Sequence, residues 1–568
     1  MESFLGVLVA LAVGGGLIAL FINLFKEENN ETKELSPAVK LYKAILEGET
    51  YKSGDARFAI KEEIEKELSV ADGIIVAANE DSKNEFNRFL YYNGDQHLLL
   101  MSIARGGKFV DFIAPNLLHC GDRSMIVIDP KGQAAAVTAR RRRELGHKTI
   151  FINPFSMHCG EPWNLHGSGF NPLAALDPAS YDFVDRTMSI TEALIQDGSK
   201  DNSHWSDSAR DILAAIIMQE VVNNGSTTLG DIRTILTMPE SERLDYVTTM
   251  TTCDNQAVRE LAGRFLAQNN EINGIFSEAI TQTRFLTSPL IKECLDNDNF
   301  RFEQLKNEKI TVYIIIPARY LKSQSRFLRL MVVSAVDAMM SSEKKQGDNS
   351  VLFMLDEFAS LGYLSSVENA MGLAAGYGLQ LWPIIQDFNQ LKGIYGDRWE
   401  TFLGNAGVTI VRGANDNFTG EYISKMIGEH TSASQSANIG DSDSFHKGES
   451  PSHSKGYSSG MTASEIKRPL LPIHELRGAF FKDGHLIFKS NLAYPIVAKA
   501  KHYYSPDNTY FKGKFDPDPY HLLGTNNGAA GGNHQEPVQP EKPKEQAEPK
   551  PLSLSDRMRQ AAQNGGGV

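Results

Sequence analysis

The chain has 568 residues, 41% of them hydrophobic and 22% charged, with a formal net charge of −13. That length supports more than one domain with a real core, and the acidic balance excludes a protein that coats nucleic acid with its whole surface. The four cysteines (Cys120, Cys159, Cys253 and Cys294) form no CxxC pair, which excludes a disulfide framework and argues against a structural zinc site. His119-Cys120 and His158-Cys159 read as strand-end positions with buried thiols rather than metal ligands.

In chain order, the run FLGVLVALAVGGGLIALFINLF from Phe4 to Phe25 carries no charge. It is long enough to cross a bilayer as one helix. Met1-Glu2-Ser3 lacks the basic start of a cleaved signal peptide, so residues 1–26 are expected to be an uncleaved transmembrane anchor. Residues 27–92 are charged and largely helical in pattern, a membrane-proximal stalk. From about Asn93, apolar runs bounded by turns alternate with helical stretches. The strand candidates are residues 97–101, 124–129, 148–153, 310–317, 350–357, 379–386 and 408–413. Continuous β-rich runs separated by helices predict an α/β fold with a parallel sheet covered on both faces. Its two parts are expected over 93–176 and 301–522. Between them, 177–300 reads as amphipathic helices, an inserted all-α domain. The serine-rich segment 432–460 is expected to be a mobile loop, and 523–568 a disordered tail rich in Gly, Pro, Glu and Gln.

The chemistry sits at the ends of the strand runs. In SIARGGKFVDFIAPN, from Ser102 to Asn116, a strand meets a helix across Gly106, Gly107 and Lys108. Small residues there let backbone N–H groups approach a phosphate, and the lysine suits the β- and γ-phosphates. VLFMLDE ends a buried run in Asp356-Glu357. The first acid suits Mg²⁺, held directly or through water, and the second can polarise an attacking water. LWPIIQ ends in Gln386, an amide placed to sense a γ-phosphate, whereas Asn389 and Gln390 read as structural. SMIVIDPKGQ adds Asp129, Lys131 and Gly132. Ligands of open α/β sheets bind at the carboxyl edge, so these residues converge on one crevice. Arg412 and Arg468 are candidates for DNA contact or for a trans-acting arginine, against the alternative of salt-bridged surface residues. Arg140–Arg143 could face DNA or be a solvated helix face paired with Glu144.

On ARGGKFVDFIAPNLL, VIDPKGQAAAVTARRRRELGHKTIFINPF, GFNPLAAL, HWSDSARDIL, FMLDEFASLGYL, AAGYGLQLWPIIQDFNQLKGIYG, YISKMIGEHT and KRPLLPIHELR, the chain resembles the TraG/TraD family of type IV secretion coupling proteins. The likeness covers about residues 95–505. It implies a RecA-like P-loop nucleotide-binding domain with an inserted all-α domain and an N-terminal anchor in the bacterial inner membrane. It further implies a homo-hexamer, mostly cytoplasmic, using ATP and Mg²⁺. Such a ring passes single-stranded DNA with its relaxase, or protein effectors, to the channel of a type IV secretion system. Carried over by position, Arg105, Gly106, Gly107 and Lys108 form the phosphate loop. Asp356 serves Mg²⁺, Glu357 is the catalytic base and Gln386 resembles the sensor. Two departures stand out. Phe109 replaces a small or hydroxyl residue and cannot ligate Mg²⁺, and Ser102 replaces the first glycine. The family commonly has two membrane spans, where this sequence shows one. The alternative is a non-catalytic docking receptor with a degenerate nucleotide site. A chromosome-partitioning translocase of related fold is disfavoured by the DPKG and NPL blocks and the large helical insert.

Overall fold

A computed structural model describes residues 56–68, 72–79, 88–196, 203–345, 348–446, 452–477 and 484–521. The expected anchor, most of the expected stalk before residue 56 and the tail lie outside them. No helix among the described residues is long and apolar enough to cross a membrane.

The strands, in chain order, are β1 (Ile74–Ala78), β2 (Phe89–Tyr92), β3 (His97–Ser102), β4 (Ser124–Asp129) and β5 (Lys148–Ile152). They continue with β6 (Ile310–Ile315), β7 (Val351–Leu355), β8 (Leu379–Ile385) and β9 (Ala406–Arg412). The last are β10 (Glu429–His446), β11 (Ser452–Pro469), β12 (Gly484–Lys489) and β13 (Ile496–Lys499). Every run expected as a strand forms one. Those seven, β3 to β9, pair in parallel in the order β9-β3-β8-β7-β4-β6-β5. Their sequences are apolar without alternation because both faces are buried. Leu99, Met101, Ile126, Ile128, Val312, Phe353 and Leu355 point into one core. Their neighbours Leu98, Leu100, Met125, Val127, Tyr313, Leu352 and Met354 point into the other.

Three expectations are corrected. The stretch read as stalk supplies helix Lys61–Glu67 and strands β1 and β2. These two strands, with β12 and β13, extend the sheet by antiparallel pairing at the β9 edge, making eleven strands. The serine-rich segment expected to be a loop is most of a two-stranded ribbon, β10 paired with β11 from Glu429↔Pro469 to His446↔Ser452. Polar, serine-rich strands show no apolar alternation, yet the backbone ladder needs none. Finally, Cys120 caps helix Ala114–His119 rather than a strand, and Cys159 lies in a loop.

Between β5 and β6 the described chain is helical, from Phe183–Leu194 to Pro289–Asp296. The longest helix, Ser203–Asn224, buries Ile212, Leu213, Ile216, Ile217 and Val221. These side chains belong to the same core as one face of the sheet and helix Ser325–Met340. The opposite face is covered by Ala114–His119 and Gln133–Glu144, whose alanines permit close approach to the strands.

Candidate functional site

The crevice forms where β3, β8, β7 and β4 end. β8 stands between the strand that leads into the glycine loop and the strand that leads into the acids. This order puts Gln386 at the end of the strand that separates the glycine loop's strand from that of the acids.

After β3 the backbone turns sharply. Arg105 has φ 62° and Gly107 φ 84°, both left-handed, and Gly106 N–H donates to the Ile103 carbonyl at 2.9 Å. A Cβ on Gly106 would fall 2.6 Å from Ser102 Oγ, and one on Gly107 2.5 Å from Asp111 Oδ2. Neither glycine can therefore carry a side chain without displacing Ser102 or Asp111. Ser102 is fully buried, and its hydroxyl has no hydrogen-bond partner. The helix that follows opens as a π-turn, Phe109–Ile113, a local widening common at functional sites.

Lys108 Nζ lies 2.8 Å from Asp356 Oδ1 and also pairs with Glu357. Burial works against its charge, but the two carboxylates outweigh it and hold its pKa above that of an ordinary lysine. Burial pushes the Asp356 carboxyl up, against the pull of Lys108. Glu357 sits at φ 53°, a left-handed conformation that costs a non-glycine residue about 1–3 kcal/mol and clusters at functional sites. Gln386 Nε2 donates to Glu357 Oε2 at 3.0 Å. Gln386 is itself held by its backbone N–H, which donates to Gln390 Oε1 at 3.0 Å, while Asn389 donates to Asp416. Asp129 ends β4 beside this group and accepts from Ala135 N–H at 2.9 Å. Burial, with Asp356 adding to it, pushes its carboxyl to about 6. Lys131 is exposed on the next turn. The structure thus brings together Lys108, Asp356, Glu357 and Gln386, with Asp129 near Asp356, while Gly106 and Gly107 form the adjoining loop and Arg105 is exposed on it. Two carboxylates facing a lysine beside a glycine cradle are a donor set suited to Mg²⁺ and polyphosphate.

The arginines part company. Arg412 is turned into its own chain. Its side chain is 6% exposed and pairs at 2.8 Å with Asp111, whose side chain is fully buried. Arg468 is exposed at the foot of the ribbon. In the run Arg140–Arg143, Arg142 is fully buried. It donates to Thr311 Oγ1 at 2.9 Å and to the carbonyls of Leu117, Cys120 and Arg123. Arg140 pairs with Glu144 and Asp516, and Arg141 with Glu144, so most of the run is committed within the chain. Sequence reasoning missed Asp111, which also accepts from His502 Nδ1 at 2.5 Å. A buried acid three residues beyond the loop lysine was the one available signal. No group of His, Cys, Asp and Glu among the described residues has the geometry of a ready metal cluster.

The glycine cradle, the lysine–acid contact and the strand inserted between them define a P-loop nucleotide-binding domain of the α/β class. The chain belongs to the family described as "Type IV secretory system Conjugative DNA transfer", whose model matches residues 57–531. It is 27% identical over 358 residues to the protein VirD4 of Agrobacterium fabrum, covering 61% of this chain and 52% of that one. It is 26% identical over 426 residues to the conjugal transfer protein TraG of Escherichia coli, covering 67% of this chain and 65% of that one. The chain thus spans about half to two thirds of the length of these curated relatives. Among solved structures it resembles the plasmid coupling protein TrwB in complex with a non-hydrolysable GTP analogue. The TM-score is 0.58 at 13% identity, over 80% of this chain and 96% of that one. The same protein with ADP and Mg²⁺ gives a TM-score of 0.57 at 14% identity, with the same coverage. At these identities the likeness is one of fold. By family, the protein is a coupling protein of type IV secretion and conjugative DNA transfer.

Proposed function

We propose that the chain is an inner-membrane coupling ATPase that hydrolyses ATP to deliver a single-stranded DNA–relaxase complex, or protein effectors, to a type IV secretion channel. The observation that carries this is the contact of Lys108 with Asp356 and Glu357, with Gln386 bound to Glu357 from the intervening strand. A triphosphate entering the loop meets the backbone at Gly107 and Lys108, beside the Gly106–Ile103 turn. Lys108 then turns from the acids to the β- and γ-phosphates. Asp356 would then be free to hold Mg²⁺ and Glu357 to accept a proton from the attacking water, with Gln386 orienting Glu357. When bound, Mg²⁺ neutralises charge on the phosphates. That TrwB has been solved with ADP and Mg²⁺ supports this reading. The subunits are proposed to form a homo-hexamer with DNA phosphates held by Lys and Arg in its pore, anchored by residues 1–26.

Phe109 favours a second reading, a cargo-docking receptor without turnover, because it removes the hydroxyl that usually helps hold Mg²⁺. Mg²⁺-dependent ATP turnover by the full chain, with and without single-stranded DNA, separates the two. Turnover abolished by Lys108→Ala supports the motor. A folded protein that binds nucleotide and never turns it over supports the receptor.

A further inference from the structure

The purine end of the nucleotide has no place in the site so far described, and the chain beyond β13 supplies one. In the sheet, β7 with its acids lies on one side of β3, while β9, β12 and β13 follow in order on the other. Lys108 leans toward the acids, so the γ end of a bound triphosphate faces β7 and the base end faces β9 and beyond. β12 runs antiparallel to β9, and β13 antiparallel to β12, with Gly484 opposite Lys499. The chain therefore leaves β13 at the carboxyl edge, where the phosphate loop lies. It turns back onto the loop's helix. Tyr503 N–H donates to the Val110 carbonyl at 3.2 Å, a group in the π-turn. Tyr503 is fully buried, its ring edge-on to Phe109 at 6.0 Å. Phe109, the departure from an ordinary phosphate loop, is thus an anchor for this segment. On either side of Tyr503, His502 and Tyr504 stack with ring centroids 5.3 Å apart and 25° between planes. His502 is fixed by its Nδ1 contact with Asp111 and still leaves 42% of its side chain exposed.

We propose that the stacked His502–Tyr504 pair is the platform for the purine base of the bound nucleotide. An aromatic pair fixed to the phosphate-loop helix, with ring surface open at the carboxyl edge, offers what a flat heterocycle needs. Stacking of a base on such rings corresponds to roughly a 5- to 150-fold gain in affinity. The inference rests on the nucleotide-site reading given above.

The test compares ATP with inorganic tripolyphosphate, each with Mg²⁺, by calorimetric titration of the full chain. Tyr504→Ala and His502→Gln, the latter keeping a donor for Asp111, are expected to weaken ATP about tenfold or more and leave tripolyphosphate unchanged. Tyr504→Phe is expected to bind ATP as the wild type does. Equal weakening of both ligands would mean that the segment only props the loop and would overturn the platform. So would ATP affinity in both variants that stays within twofold of wild type. A wild-type protein that binds tripolyphosphate as tightly as ATP would refute the platform alone. One that binds neither would refute the nucleotide site itself.

Discussion

Gly107→Ala separates two reasons for a glycine. At φ 84° an L-residue pays about 1–2 kcal/mol for the left-handed backbone. The new methyl would also stand 2.5 Å from Asp111 Oδ2 and 3.3 Å from Arg412 Nη2. Asp111 cannot yield easily, since its side chain is fully buried and held by Arg412 and His502. Overpacking of this kind adds about 1–3 kcal/mol, so the total is about 2–5 kcal/mol. The loop can relieve it by moving away from Asp111, which would spoil the cradle. Gly146→Ala is the control: its φ is 86° and no atom lies within 4 Å of the added methyl, so it should lose only the backbone cost of about 1–2 kcal/mol. Denaturant midpoints and nucleotide titrations of both variants give the comparison. Gly107→Ala is expected to lose nucleotide affinity by tenfold or more (about 1.4 kcal/mol or more), and Gly146→Ala to keep it. Equal effects of the two on binding would refute the contact-based account of the cradle.

Glu357→Gln should lower ATP turnover by about 10²–10⁴-fold while nucleotide still binds. Turnover within tenfold of wild type would remove Glu357 as the base. Arg142→Met should destabilise the fold by about 3 kcal/mol or more, because buried carbonyls lose their donor. Exposed Arg143→Ala should stay within about 0.5 kcal/mol, with urea unfolding as the measure. Burial, reinforced by Arg412, pushes His485 down to about 3. The folded state therefore resists its protonation. Its contribution is intact above the unfolded value near 6.5 and is lost as pH falls below it, by at most about 2 kcal/mol at pH 5. Asp129, raised to about 6, runs the opposite way between about pH 4 and 6. Comparison with His485→Gln isolates the histidine, and a variant as acid-sensitive as wild type between pH 7 and 5 would contradict the assignment.

The parallel strands were legible because burial on both faces writes itself as an unbroken apolar run, as in VLFML before Asp356. IIVAA, FLYY, GHLIFK and IVAK were not. They are short, two of them follow a charged stretch, and antiparallel edge strands gain their identity from partners far away in the chain. The same distinction governs the site. Asp356, Glu357 and Gln386 each follow directly on a readable strand, and Lys108 stands where a glycine loop meets its helix, so local pattern placed them. Arg412 also ends a strand, but its partner Asp111 was invisible without the fold, and a surface role was a fair expectation for it. His502 meets Asp111 across 391 residues, a separation that no motif spans. Arg142 shows the limit of composition: four consecutive arginines look alike, and only helix geometry turns one of them inward.

The shared core of the helical insert has a mechanical meaning. Ile216 and Phe276 of the insert and Phe353 and Leu355 of β7 belong to one continuous apolar layer. A close-packed interior is stiff and transmits strain. Force applied to the insert is therefore borne by the strand whose last residues lead into Asp356 and Glu357, rather than dissipated in a slack tether. The helices and the strand that carries Asp356 and Glu357 thus bear load as one slab of side chains.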